Sequence, residues 1–208
     1  LEDPEVGYYQ SRKMTALATI AREEYDADWV VPFDADEIWY ARSGLTLAEE
    51  LEGVAPQWLC VAAEMFNHYT TGRDVELTDP TQRMAWRSTE PGRLPKVACR
   101  ARPDLVIEQG NHSASFKGGA TTLLGPLVIR HFPYRGAEHF VRKARNGSAA
   151  YLAAVDINPA YGTHWRNYGG VLKEHGEQVL VDMVYTPWFH YEDPLNPGNG
   201  RPVLIYDP

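Results

Sequence analysis

Asp34 and Asp36, one residue apart and followed at once by Glu37, are the residues in this chain whose type and spacing best suit chemistry. They come directly after the apolar run Asp28-Trp29-Val30-Val31-Pro32-Phe33, which reads as a short buried strand, although Pro32 removes one ladder donor. A turn after a strand breaks the alternation that would send one of two such carboxylates away, so both can reach one point in space. Hard divalent cations suit that arrangement, because they take one or two protein carboxylates and complete their shell with water and phosphate oxygens. Asp34 and Asp36 are therefore candidate ligands for Mg²⁺ or Mn²⁺, and Glu37 is a third acid that shapes the pocket or supports the ligands from behind. The competing reading is an acidic, solvated turn.

Further positions can serve the same chemistry. His112 follows a Gly110-Asn111 turn and His131 ends an apolar run; a neutral imidazole at either place is a candidate additional metal ligand. Lys96, with Arg100, Arg102 and Arg130 near the same strands, can offset phosphate charge. Glu64, at the end of a strand that begins near Trp58, is a candidate general base for deprotonating a hydroxyl, and Glu37 is the second candidate catalytic carboxylate.

The elements that must position these groups alternate between helix and strand. Met14, Leu17, Ala18, Ala21 and Tyr25 recur at three- and four-residue steps, which predicts a helix over 10–25 with one buried face. Thr46-Leu47-Ala48-Glu49 reads as a capping box that opens a short helix to about Glu52, and 57–66 is strand-like. The stretch 70–95 is polar, rich in Gly and Pro and without a period, hence a long surface loop. Strands are predicted over 96–100, 105–108 and 127–131, and a helix over 136–155 with Gly147 as a soft spot. Beyond it the chain reads as irregular, with an extended C-terminal tail over 187–208. This order predicts an α/β fold whose mixed, mostly parallel sheet is flanked by helices.

With 208 residues, 44% of them hydrophobic and 23% charged, the chain reads as one globular domain spanning 1–208. A net charge of -8 argues against nucleic acid or anionic lipid as a partner, since both need clustered Lys and Arg. No apolar run is long enough for a transmembrane segment. The only two cysteines, Cys60 and Cys99, lie in apolar strand-like contexts and form no CxxC pair, which favours buried thiols and a reducing, cytoplasmic location. Oligomeric state is not legible.

The run Ala27-Asp28-Trp29-Val30-Val31-Pro32-Phe33-Asp34-Ala35-Asp36-Glu37 resembles the signature around the DxD of family 2-like glycosyltransferases, with Ile38 where that signature has Phe. Lys96, Arg102-Pro103 and Gly110-Asn111-His112 resemble the group's "K…RP…GxH" block. Ile129-Arg130-His131-Phe132-Pro133-Tyr134-Arg135, with Glu138, Phe140, Lys143 and Gly147, resembles the block that opens its following helix. The three blocks occur in the family's order and span about 8–152. The group's "N-E" and "D-x-S-x-D" elements, which bind the nucleotide, do not precede Gln10, so the expectation is a fragment of a GT-A-type (Rossmann-related) catalytic domain whose nucleotide-binding half is absent from this sequence.

The resemblance implies a glycosyltransferase that moves a sugar from a nucleotide-sugar donor to a carbohydrate or other hydroxyl acceptor, dependent on Mn²⁺ or Mg²⁺ and inverting. On this reading the candidate metal ligands are Asp34, Asp36, His112 and His131, and the candidate donor-binding residues are Asp34, Asp36 and Lys96. Two rivals remain. A haloacid-dehalogenase-type phosphatase also places D-x-D after a strand, with the first Asp as nucleophile, but has Thr or Val where Ile38 stands. A non-catalytic carbohydrate- or partner-binding module is the other.

Overall fold

The computed structural model describes residues 5–69, 79–185 and 204–207. Of the expected surface loop, 70–78 lies outside the described residues, as do 187–203 and 208 of the expected tail. Along the chain run α1 (Gln10–Tyr25), β1 (Trp29–Val30), β2 (Glu37–Ala41), α2 (Leu47–Glu52), β3 (Cys60–Tyr69), α3 (Pro80–Arg83), β4 (Trp86–Ser88) and β5 (Lys96–Arg100). There follow β6 (Val106–Ile107), a 3-10 turn (Gln109–Asn111), β7 (Ala114–Ser115), β8 (Thr122–His131), α4 (Ala137–Ala153), α5 (Thr163–His175), α6 (Glu177–Tyr185) and β9 (Leu204–Tyr206). These elements gather into two compact units, where the sequence reads as one domain. One comprises Tyr9–Asn67 and Pro91–His131, the other Leu1–Tyr8, His68–Glu90 and Phe132–Pro208.

The first unit is built on a sheet in the order β1-β5-β3-β8-β2. It is mixed, as expected, but not mostly parallel: β3 and β8 form the one parallel ladder among the described residues. Parallel neighbours need a crossover of a dozen or more residues, usually a helix, and among the described residues between α2 and α4 no helix is longer than four residues. Its strands therefore return mainly as antiparallel partners. Directions nevertheless agree where it matters. β1, β3 and β8 run the same way, so their carboxyl ends share one edge of the sheet, the edge at which β2 and β5 begin.

Side-chain alternation gives this sheet two cores. Val61, Ala63, Ala98, Leu127 and Ile129 pack with Leu51 of α2 and Val54 just after it. On the other face Cys60, Ala62, Val97 and Cys99 meet Ala18 of α1, with Leu105, Ile107 and Phe116. Each large apolar side chain so buried contributes about 1.5–3 kcal/mol. Cys60 and Cys99 are directly opposite each other, buried and unbonded, with Sγ atoms 3.8 Å apart. The α2 capping box forms as expected: Thr46 Oγ1 accepts from the Glu49 N–H at 3.2 Å while Glu49 Oε2 accepts from the Thr46 N–H at 2.9 Å.

In the second unit α4, α5 and α6 surround Phe140, Val141, Ala144, Tyr168 and Leu180. The helices α5 and α6 replace the irregular end expected from the sequence. The soft spot at Gly147 is a close approach, since a Cβ there would stand 2.8 Å from the Trp165 ring. His68 and Tyr69, the last residues of β3, pair with β4, and β4 pairs with β9, where Arg87 Nε meets Asp207 Oδ2 at 2.6 Å. Among the described residues no helix is long and apolar enough to cross a membrane.

Candidate metal centre

Pro32 has no N–H for the ladder, and β1 ends at Val30. Four residues later the chain turns over Asp34–Glu37, and the turn is closed twice. The Glu37 N–H donates to the Asp34 carbonyl at 3.1 Å, and the Asp34 N–H donates to Glu37 Oε2 at 3.2 Å. Trp39 Nε1 donates to the same Oε2 at 3.1 Å. Glu37 begins β2 with its side chain wholly buried, so its carboxylate holds the turn from inside.

Lys96, the first residue of β5, reaches this carboxylate from the same sheet face. Its Nζ is 2.7 Å from Asp34 Oδ2 and 3.0 Å from Glu37 Oε1. Burial is the largest single influence on Lys96 and opposes its charge, yet Asp34 and Glu37 together outweigh it and hold the ammonium above its ordinary pKa. The other Asp34 oxygen, Oδ1, accepts from Gln10 Nε2 at 3.0 Å, and Gln10 Oε1 accepts from the Gly110 N–H at 3.0 Å. Asp34 is thus committed to an ammonium and an amide.

Asp36, two residues on, meets a different group. His131 ends β8 between Glu37 of β2 and Asn67 of β3, its direct neighbours on either side. Its Nε2 lies 3.7 Å from Asp36 Oδ2, and its Nδ1 lies 2.7 Å from Asn67 Oδ1. Both Asp36 and His131 are largely buried, with side chains 9% and 17% exposed. The carboxyl ends of β1, β3 and β8 therefore deliver Asp34 and Asp36, Asn67 and His131 to the same sheet edge.

His112 closes the 3-10 turn with its Nδ1 2.8 Å from the Pro95 carbonyl, so Nδ1 carries the proton. Burial holds His112 below the ordinary imidazole pKa, with Lys96 adding to the effect and the Pro95 carbonyl, Asp34 and Glu37 opposing it. Gly110 is required beside it: its φ is +84°, and a Cβ there would come within 2.6 Å of His112 Cδ2. Glu64 is not brought to the centre. In β3 it alternates with Ala63 and Met65, which face the Leu127–Ile129 core, and it forms an exposed ion pair with Arg42 instead. Arg100 lies over the Trp29 ring at 4.3 Å, Arg102 pairs with Asp104 at 2.9 Å, and Arg130 lies 5.8 Å from the Tyr40 ring.

The four expected ligands do not gather around one point. Among the described residues no three His, Cys, Asp or Glu side chains are grouped to hold a metal ion. A divalent cation fits the pair Asp36 and His131 by donor type and by spacing. Two atoms that each bind one cation at about 2.1 Å can lie up to about 4.2 Å apart, which admits the 3.7 Å gap. Asn67 and Gln10 escape a reading of the sequence: the first acts through a cross-strand register, the second through a helix start, and neither stands in a motif. No protein-family model matches the chain, and no curated protein matches it.

Proposed function

We propose that this chain is the metal-binding part of a GT-A-type glycosyltransferase, which moves a sugar from a nucleotide-sugar donor to a hydroxyl acceptor with inversion. The observation that carries the reading is the Asp36–His131 pair, a carboxylate and an imidazole 3.7 Å apart at the carboxyl edge of the sheet. Ligands in open α/β sheets bind beyond the carboxyl ends of the strands, and a hard cation takes few protein ligands when phosphates complete its shell. Asp36 and His131 would hold Mn²⁺ or Mg²⁺, with the nitrogen donor favouring Mn²⁺. Bound there, the cation would supply charge neutralisation at the donor diphosphate.

The chain's own residues have separable tasks. Lys96 neutralises Asp34 and Glu37, which keeps the turn closed and leaves Asp36 as the carboxylate that meets His131. Glu37 is buried and Glu64 is turned to the other face, so neither is assigned to the acceptor proton. The unbonded thiols of Cys60 and Cys99 go with a reducing, cytoplasmic setting.

The test is nucleoside-diphosphate release from a panel of nucleotide sugars by the full protein, with and without Mn²⁺. Mn²⁺-dependent release that is lost in Asp36→Ala is the expected result. Mn²⁺ binding with no release from any donor would favour a binding module, and a phosphorylated Asp34 would favour the phosphatase.

A further inference from the structure

We propose that Asn67 is a positioning residue: its side-chain carbonyl holds His131 in the Nδ1–H tautomer, so that the Nε2 lone pair faces the Asp36 carboxylate. This deepens the metal-site reading, on which it rests, by naming a residue that reading does not use.

The placement comes from the parallel ladder. Asn67 and His131 are direct partners in β3 and β8, their side chains leave the sheet on one face, and Nδ1 stands 2.7 Å from Oδ1. A carbonyl oxygen only accepts, so the ring nitrogen it touches must donate. The opposite amide orientation would set an NH₂ against Nδ1 and place the ring proton on Nε2. An Nε2–H beside a carboxylate would close to hydrogen-bond distance, whereas the gap to Asp36 Oδ2 is 3.7 Å, beyond that range. Two lone-pair donors facing each other across such a gap are what a cation bridges. An imidazole that ligates through one nitrogen is ordinarily held by an acceptor at the other, and loss of that acceptor weakens metal binding about 10- to 100-fold.

The experiment uses the full protein carrying ¹⁵N-histidine, at a pH where the imidazole is neutral, with Mn²⁺ alone as the probe. Long-range ¹H–¹⁵N spectra of the metal-free protein should show His131 as the Nδ1–H tautomer in the wild type and in Asn67→Asp, which keeps an acceptor. Asn67→Leu should move it toward Nε2–H and weaken Mn²⁺ binding about 10- to 100-fold, while Asn67→Asp keeps wild-type affinity. A purely structural role would change melting temperature without changing the tautomer. Unchanged Mn²⁺ affinity or an unchanged tautomer in Asn67→Leu, or an Nε2–H signal in the wild type, overturns the role given to Asn67. A wild type that shows the Nδ1–H tautomer but binds no Mn²⁺ overturns the metal reading instead.

Discussion

The ammonium of Lys96 stands 3.0 Å from Glu37 Oε1 inside the protein, with the lysine side chain 5% exposed and the glutamate side chain 0% exposed. Removing one member of such a pair leaves the other charge buried without compensation, which costs about 3–5 kcal/mol. Lys96→Met is therefore expected to lower the free energy of unfolding by about that amount in denaturant titrations. A change below about 1 kcal/mol, the size of a surface pair, would contradict the account.

The same ammonium predicts a pH dependence. Its folded-state pKa is raised above the ordinary lysine value, with Asp34 and Glu37 overcoming the opposing effect of burial. A group raised in this way binds its proton more tightly in the folded state. Its contribution is complete below the unfolded value of about 10.4 and is lost as pH climbs through the folded one. Unfolding measured from pH 8 upward should show stability declining above about pH 10, with a shallower decline in Lys96→Met.

Gly110→Ala should damage the centre without touching a ligand. The residue has φ +84°, and the added Cβ would lie 2.6 Å from His112 Cδ2. Strain at such a position costs on the order of 1–3 kcal/mol, and the ring must leave the Pro95 carbonyl. Thermal unfolding should show the loss, and the His112 Nδ1–H resonance should shift. Wild-type stability with an unshifted resonance would show that the turn does not need glycine.

Glu64→Gln separates geometry from sequence expectation. Glu64 pairs with Arg42 in an exposed position on the face away from Lys96 and His131, so its loss should cost at most about 1 kcal/mol of stability. The proposed sugar transfer should stay close to wild type. A fall of about 10²–10⁴-fold, as for a general base, would return Glu64 to the reaction.

Much of the framework was legible because it is written in local signals. The helix α1 is found over the predicted span 10–25, although Leu17 and Tyr25 of its expected buried face are exposed, and the Thr46–Glu49 box marks the start of α2. Lys96–Arg100 is apolar at its centre and is found as a strand over the predicted span. Strand direction is not a local property, and the antiparallel return of β5 onto β3 defeated the mostly parallel expectation. β2 carries no local strand signal, because Ile38 and Tyr40 are exposed and its five residues directly continue the acidic turn. At the centre, residue types were legible but partners were not. Asp34 meets Lys96 at a separation of 62 residues, and His131 meets Asn67 at 64, distances at which spacing carries no information. The aspartates therefore looked like a converging pair, where the fold gives them separate partners.

Mn²⁺ binding by calorimetry on the wild type, Asp36→Ala and His131→Ala decides whether this pair holds a cation. Binding is expected in the wild type and should fall at least about tenfold in each variant, both retaining the wild-type fold. Equal affinity in all three proteins, or no binding in the wild type, would contradict it.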